Sequence, residues 1–213
     1  MKRLVCFLLT VIMLVGMIPM AVIAEDTTLP FTDVKTNHWF HDAVKYCVEK
    51  GYIKGMTDTT FVPNNNLTRA QFLTILAQVD GADLTAYEGK DSGFADSKPN
   101  HWYNKVVCWA VEKGYTSGLS ETKFGPNNDV TRAQLARFFY VYTEKNGDVS
   151  GSADLSVYPD ADKVQEWAKT PVEWAVNAGL ISGVAKDGVN YLDPNGTATR
   201  AQAARMFMQY DIM

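Results

Sequence analysis

Three copies of one four-residue motif constrain the fold of this chain more than any other feature. Thr-Arg-Ala-Gln occurs at residues 68–71, 131–134 and 199–202, each time between apolar residues. Other residues recur at fixed offsets: a Trp lies twelve residues before a Gly, a second Gly follows four residues later, and a Pro precedes the motif Arg by six residues. Agreement at this many offsets predicts three tandem copies of one structural unit, each too small to bury its apolar face alone.

The three units begin with similar sequences, and polar connectors separate them. They open as FTDVKTNHWF at Phe31, FADSKPNHWY at Phe94 and YPDADKVQEWA at Tyr158. The connectors, over 80–93 and 144–157, are rich in Gly and Asp, which is typical of loops. We therefore expect three repeats that form one compact domain, over residues 25–90, 91–154 and 155–213.

Each unit has the pattern loop, helix, loop, helix. In WFHDAVKYCVEKG, from Trp39, apolar residues recur every three or four positions, which predicts an amphipathic helix ended by Gly51 in a left-handed conformation. WYNKVVCWAVEKG and WAKTPVEWAVNAG follow the same plan, and Pro171 is tolerated in the first turn. The expected fold is mainly α: three helix–loop–helix units packed as a pseudo-threefold bundle, with little or no short β structure in the loops.

The repeated motif is expected to begin the second helix of each unit. Thr68, Thr131 and Thr199 precede regular apolar periodicity, and a Gln follows each Thr by three residues. This spacing predicts a capping box, in which the Thr hydroxyl and the Gln side chain each accept a hydrogen bond from a backbone N–H. Such a cap contributes about 1 kcal/mol, so local structure explains the Thr, Ala and Gln.

Capping does not explain the motif Arg. Arg69, Arg132 and Arg200 occupy the first helical position, where a cation is mildly unfavourable against the helix dipole. Free N–H groups at a helix N-terminus attract anions, and a planar guanidinium suits a carboxylate or a phosphate. The residues alone leave two interpretations open: these Arg side chains bind an anionic ligand, or they pair with Asp or Glu of a neighbouring unit.

The first two dozen residues differ from the rest of the chain. Lys2 and Arg3 precede an apolar run, and Val22-Ile23-Ala24 ends it, which predicts a secretory signal peptide over residues 1–24. A retained membrane anchor is the alternative. Removal of the two basic residues changes the formal charge from −4 to −6. An acidic mature chain argues against nucleic acid and, after cleavage, against a membrane as the partner.

The remaining reactive side chains do not form a recognisable catalytic or metal site. Cys47 and Cys108 occupy different positions of the unit, and two partly buried thiols are favoured over a disulfide, which stays open. Asp33, Asp96 and Asp160 recur at the start of every unit, as residues that bond nearby backbone do, whereas a catalytic pair is usually unique and asymmetric. We expect no catalytic residue, no metal and no cofactor.

The combination of motifs resembles the S-layer homology (SLH) repeat family. FTDVKTNHWF, GYIKG, FVPNNNLTRAQF and FGPNNDVTRAQL are similar to the family pattern, and the resemblance spans about residues 31–210. It implies three repeats folded as a pseudo-threefold prism. It also implies that clefts between the repeats bind secondary cell-wall polysaccharide, often pyruvylated, and so hold an exported protein at the Gram-positive cell wall, cell surface or S-layer.

The resemblance implies particular site residues. The motif Arg is the residue expected to face the acidic sugar, at Arg69, Arg132 and Arg200. The second glycine of each pair is expected to let a ligand approach the backbone closely, at Gly55, Gly118 and Gly183. A Trp near the start of each first helix could offer an apolar face to a sugar ring, although core packing is the favoured interpretation for Trp39, Trp102 and Trp167.

The expected function is that of a non-catalytic, monomeric wall-binding protein. The alternatives are a surface adaptor whose repeats contact other proteins and, more remotely, a wall-modifying enzyme. The chain departs from the family pattern in two ways. Gln replaces the usual Glu in all three motifs, and the third unit lacks the His-Trp pair and carries loop insertions before Trp167 and after Gly183. The cleft of the third unit is therefore the one in doubt.

Overall fold

The computed structural model describes residues 29–213, and the predicted signal peptide lies outside these residues. The described residues form six α-helices, two in each unit. They are α1 (His41–Glu49), α2 (Arg69–Asp80), α3 (Asn104–Glu112), α4 (Arg132–Asn146), α5 (Lys169–Asn177) and α6 (Arg200–Asp211). Short 3-10 turns lie at Thr85–Tyr87, Leu155–Val157, Ala161–Lys163 and Glu166–Ala168. The mainly α fold expected from the sequence is confirmed.

The first helix of each unit begins two residues after the repeated Trp. In the first unit, Trp39 and Phe40 lie in a turn, and α1 begins at His41. Each of these helices is followed by a glycine with positive φ: 74° at Gly51, 71° at Gly114 and 72° at Gly179. The predicted left-handed helix ends are therefore confirmed.

The second helix of each unit has the predicted capping box. In α2, the Gln71 N–H donates to Thr68 Oγ1 at 3.3 Å, and the Thr68 N–H donates to Gln71 Oε1 at 3.0 Å. The same reciprocal pair holds Thr131 to Gln134 and Thr199 to Gln202.

A short β-hairpin in the third unit accounts for its loop insertion. β1 (Val184–Lys186) pairs antiparallel with β2 (Val189–Tyr191). Asp187 and Gly188 connect them with φ values of 52° and 77°, the positive pair that a tight two-residue hairpin turn requires.

The helices pack in a closed ring. The first helix of each later unit packs on the second helix of the unit before it, so α3 lies against α2 and α5 against α4. The ring closes because α1, from the first unit, packs on α6, from the third.

Backbone hydrogen bonds at the centre of the ring also form a closed cycle through the three units. The Leu67 N–H donates to the Ala198 carbonyl at 2.9 Å, the Ala198 N–H donates to Val130 at 3.1 Å, and the Val130 N–H donates to Leu67 at 2.9 Å. Each unit thus donates to one neighbour and accepts from the other, and the cycle contains all three. This is the pseudo-threefold arrangement predicted from the repeat.

The core at the centre is aromatic. The rings of Phe72, Phe139 and Phe207 lie 4.9–5.4 Å apart between centroids, and all three side chains are fully buried. Ala203 of α6 occupies the position equivalent to Phe72, which leaves room for the large ring. Burial of each such ring contributes roughly 2–3 kcal/mol.

Candidate ligand-binding clefts

The N–H groups that begin each second helix are already bonded within the protein. The Arg69 N–H donates to the Asn128 carbonyl at 2.9 Å, and the Ala70 N–H donates to the Pro126 carbonyl at 3.0 Å. Loops of the neighbouring units cap α4 and α6 in the same way. These N–H groups are therefore not free to attract an anion, and that part of the sequence argument is wrong. Any anion binding here depends on the side chains.

The motif Arg side chains are buried against the neighbouring unit. Arg69, Arg132 and Arg200 are only 3%, 7% and 6% exposed. Each Nε donates to a main-chain carbonyl of another unit: Arg69 to Phe124 at 3.0 Å, Arg132 to Leu192 at 2.8 Å, and Arg200 to Phe61 at 2.9 Å. The Arg residues therefore join the units through backbone, which neither interpretation of the sequence included.

The guanidinium groups lack close carboxylate partners. Within residues 29–213, no Asp or Glu oxygen lies within 4.0 Å of any of the three. Burial lowers the pKa of Arg69 to about 10, opposed by the more distant charge of Asp96, so the side chain stays protonated at neutral pH. Burial also lowers the pKa of Arg132 and Arg200. The pairing interpretation is thus limited to longer-range attraction.

Aromatic rings support two of the three guanidinium groups. Arg69 lies over the Phe124 ring at 4.7 Å from its centroid, and Arg200 lies over Phe61 at 4.5 Å. Such contacts stabilise a desolvated cation by about 2 kcal/mol. The equivalent position below Arg132 is Leu192, which has no ring.

The Asp at the start of each unit holds the loop that receives the Arg. Asp96 accepts hydrogen bonds from the Phe124 N–H at 2.9 Å and the Gly125 N–H at 2.8 Å. Asp33 and Asp160 bind the equivalent backbone in their own units. These carboxylates bond backbone, as predicted, but the bound N–H groups lie 28 to 33 residues further along the chain and not in an adjacent turn.

Three clefts open beside the motif Arg side chains, and each takes residues from all three units. The Arg69 cleft, about 370 Å³, is lined by Arg69, residues 115–119, Gln134, Arg137, Phe138 and Trp167. The Arg200 cleft, about 250 Å³, is lined by Arg200, residues 51–54, Gln71, Thr74, Ile75, Gln78 and Trp102. The Arg132 cleft, about 400 Å³, is lined by Arg132, Leu180, residues 182–185, Gln202, Arg205, Met206 and Trp39.

The repeated Trp side chains lie in these clefts and not in the core. Trp39, Trp102 and Trp167 are 59%, 60% and 43% exposed, so the favoured core-packing interpretation is wrong. They precede the helices, so they do not belong to the buried stripe of α1, α3 or α5. Each one reaches a cleft formed mainly by the other two units, where its ring is accessible to a ligand.

The second glycine of each pair is required by the protein's own packing. A Cβ atom would lie 2.4 Å from the Phe31 ring at Gly55, 2.5 Å from the Phe94 ring at Gly118 and 2.5 Å from Asn190 at Gly183. Gly118 and Gly183 line clefts, whereas at Gly55 it is the preceding Lys54 that lines one. These steric clashes explain why each position is Gly, and no close approach of a ligand is needed to account for it.

Sequence reasoning missed a second basic position. The residue five positions after the motif Arg is Arg137 in the Arg69 cleft, Arg205 in the Arg132 cleft and Thr74 in the Arg200 cleft. Arg137 and Arg205 are exposed. The available signal was the helical spacing from the motif Gln, because residues three apart lie on the same face of a helix. Gln134 and Arg137 of α4 line one cleft, and Gln202 and Arg205 of α6 line another.

The other candidate chemistry is limited within the described residues. Cys47 and Cys108 are both free and buried, and burial raises the pKa of the Cys47 thiol to about 12. Residues 29–213 contain no group of three or more His, Cys, Asp or Glu side chains placed to hold a metal ion. In the same range, no helix combines the length and the apolar character needed to cross a membrane.

The fold and the clefts define a three-unit repeat protein with ligand-sized sites between its units. The model of the S-layer homology domain family matches residues 30–73, 93–136 and 157–204. The chain therefore belongs to the S-layer homology domain family. Membership indicates a secreted protein of the cell wall or cell surface.

Relatives with known names carry the same region within longer proteins. The chain is 35% identical to the surface-layer 125 kDa protein of Lysinibacillus sphaericus over 81% of this chain and 14% of that protein. It is 31% identical to an endoglucanase of Bacillus sp. (strain KSM-635) over 86% of this chain and 19% of the enzyme. It is 28% identical to the S-layer protein sap of Bacillus anthracis over 99% of this chain and 24% of that protein. The chain thus spans less than a quarter of each relative.

Proposed function

We propose that this protein attaches to the Gram-positive cell wall by binding an anionic secondary cell-wall polysaccharide in the three clefts, without catalysing a reaction. In this proposal the chain loses residues 1–24 as a signal peptide, and the repeats over 25–90, 91–154 and 155–213 act as one monomeric binding domain. The ligand is a polymer that carries carboxylates, such as pyruvate ketals on sugar rings.

One observation carries the proposal: each cleft combines a buried guanidinium, an exposed Trp ring and a half-buried motif Gln. An aromatic face packs against the apolar face of a sugar ring. A guanidinium in a partly desolvated site binds a carboxylate more strongly than one in open water. The same three groups occur three times, as expected for a repeating polymer and not for a single reacting bond.

The relatives support a binding role over a catalytic one. S-layer proteins and an endoglucanase share this region, and it forms only 19% of the enzyme. A region common to proteins with such different names is better explained by a shared attachment than by a shared reaction.

The test is co-sedimentation of residues 25–213 with purified Gram-positive walls, before and after extraction of their non-peptidoglycan polymer. We expect binding that needs the polymer. Simultaneous substitution of Trp39→Ala, Trp102→Ala and Trp167→Ala should weaken it more than tenfold, because each cleft loses its aromatic wall. These side chains are exposed, so the variant is expected to remain folded.

The matched control is Val157→Ala with Ile212→Ala, which removes exposed apolar side chains outside the clefts. Binding by the control should equal that of the unchanged protein. Retention of the protein on extracted walls, or normal binding by the folded Trp variant, would overturn the proposal and favour a protein partner.

A further inference from the structure

The three motif Arg side chains differ in the hydrogen-bond donors that they leave for a ligand. Arg69 uses only Nε, which donates to the Phe124 carbonyl. Within residues 29–213, neither Nη1 nor Nη2 of Arg69 has a partner, and neither atom is fully buried. A side chain that is 97% buried therefore presents both terminal nitrogens to the cleft without any bond from the protein.

The other two Arg side chains have fewer donors available. Arg200 Nη2 already donates to the Lys54 carbonyl at 2.8 Å. Arg132 Nη2 is fully buried and has no partner in the described part of the chain, so a ligand in the cleft does not reach it. A carboxylate that binds a guanidinium end-on needs both Nη atoms, since Nε is occupied in all three. Only Arg69 offers both.

The surrounding charges favour the Arg69 cleft over the Arg132 cleft. The Arg200 cleft has Thr74 at the position equivalent to Arg137 and Lys54 as its second cation, whereas Arg137 places a second, exposed guanidinium in the Arg69 cleft. Arg205 does the same in the Arg132 cleft, but there the carboxylates of both Asp193 and Asp160 act on Arg132. A single carboxylate, Asp96, acts on Arg69. The net positive potential available to an anion is therefore greater beside Arg69 than beside Arg132. The Arg200 cleft, where Asp33 acts on Arg200, differs from the Arg69 cleft in its free donors and not in its charge.

We infer that the clefts are unequal and that the Arg69 cleft is the principal site for the carboxylate of an acidic sugar. Arg69 binds the carboxylate end-on through Nη1 and Nη2, Arg137 supplies a second charge at the mouth, and the Trp167 ring packs on the sugar. The Arg200 and Arg132 clefts bind the same group more weakly. This inference rests on the proposed function, because it ranks clefts that must first bind the polymer.

The exposed Trp residues give one reporter for each cleft. The indole N–H signals of Trp167, Trp102 and Trp39 report on the Arg69, Arg200 and Arg132 clefts, and the buried Trp109 and Trp174 serve as internal references. The experiment is a 15N NMR titration of residues 25–213 with acidic oligosaccharides released from walls that retain the protein. The matched probe is the same oligosaccharide preparation with its carboxylates chemically reduced to alcohols.

We expect the Trp167 signal to shift at the lowest oligosaccharide concentration and the reduced probe to lose most of this effect. A first shift at Trp39 or Trp102 would overturn the ranking while leaving the proposed function intact. Equal shifts with the reduced probe would show that the carboxylate is not the group recognised. Walls that fail to retain the protein would instead overturn the proposed function itself.

Two matched variants test the charge at the cleft mouth. Both Arg137 and Arg205 are exposed, so replacing either with Gln is expected to leave the fold intact. Arg137→Gln should weaken oligosaccharide binding roughly tenfold, and Arg205→Gln less than about threefold, since charge-assisted bonds differ on this scale. Equal effects of the two substitutions, or a larger effect of Arg205→Gln, would contradict the inference.

Discussion

The motif Arg shows how one residue serves the fold and still leaves groups for a ligand. Its Nε joins two units through a carbonyl, for example Arg69 to Phe124, and the aromatic ring below it compensates for lost hydration. Lys has neither the Nε donor nor the planar group, and so would not replace Arg here. The structural and binding interpretations of the motif are therefore compatible.

The motif Gln is expected to determine how well an anion is tolerated. Gln134 Oε1 accepts from the Thr131 N–H, so the amide NH₂ is the end left for the Arg69 cleft. Glu keeps the acceptor needed by the capping box but adds a negative charge beside Arg69. We expect Gln134→Glu to weaken binding of the acidic polymer about tenfold and to change the free energy of unfolding by less than about 0.5 kcal/mol.

Wall co-sedimentation of the Gln134→Glu variant measures the change in binding, and urea denaturation of the same preparation measures the change in stability. Gln134→Ala is the companion variant, because it removes one half of the capping box without adding charge. It should lower the free energy of unfolding by about 1 kcal/mol. Unchanged binding by the Glu variant would show that this side chain does not face the ligand.

Residue-level reasoning succeeded where partners are close in sequence and failed where they are distant. The capping box joins residues three apart, so its spacing alone predicted it. The carbonyl bound by Arg69 Nε is 55 residues away and belongs to another unit. The exposure of Trp39 was also missed. The apolar periodicity does not show that the helix begins only after this Trp, and the cleft that receives its ring belongs to the other two units.

At the scale of elements, the loop before each second helix is as important to the clefts as the helices. In the second unit, Asp96 fixes this loop, and the loop presents the Phe124 carbonyl to Arg69. The carboxylate thus acts on the cleft through the backbone that it holds. Its recurrence in every unit follows from this role.

Asp96→Asn tests this arrangement. The Asn amide accepts only one of the two N–H bonds and turns a donor toward the other, so a partly buried N–H loses its partner. We expect the free energy of unfolding to fall by about 1–3 kcal/mol in urea denaturation. Asp162→Asn, at an exposed position with no described partner, should change it by less than about 0.5 kcal/mol. Equal stability of the two variants would exclude the proposed role of the loop.

Whole-molecule closure depends on the contact between the first and last helices. Tyr46 of α1 donates a hydrogen bond to Asp211 of α6, and Lys50 Nζ lies 3.5 Å from the same carboxylate. The hydrogen bond from Tyr46 lowers the pKa of Asp211, ahead of the weaker effect of Lys50. The bond also raises the pKa of Tyr46 to about 12.

The lowered pKa of Asp211 gives the closure a predictable pH dependence. Its contribution is fully present above the ordinary carboxyl pKa of 3.8 and is lost as the pH falls through the lower, folded value. We expect Asp211→Asn to reduce the free energy of unfolding by about 1–2 kcal/mol at neutral pH, and by progressively less as the pH falls below 3.8. Urea denaturation at a series of pH values from acidic to neutral measures this change in the free energy of unfolding. The control is Asp58→Asn, which alters an exposed carboxylate without a described partner. A deficit that did not shrink as the pH fell below 3.8 would contradict this account.

The closed ring could be predicted in outline, but its clefts could not. Three equal units that each need a covered apolar face suggest a closed bundle. Which residues meet across the boundaries depends on the rotation between units, which no spacing within a unit specifies. The third-unit hairpin is a further example, because its insertion was visible in the sequence but its β structure was not.

The composition of the clefts sets a lower limit on repeat number. The Arg69 cleft takes its Arg from the first unit, most of its wall from the second and its Trp from the third, and the other two clefts follow the same rotation. A chain with two units would have every motif residue but no complete cleft. Loss of a single repeat therefore removes all the sites at once, and a shorter descendant of this gene would regain them only by assembling with further copies of itself.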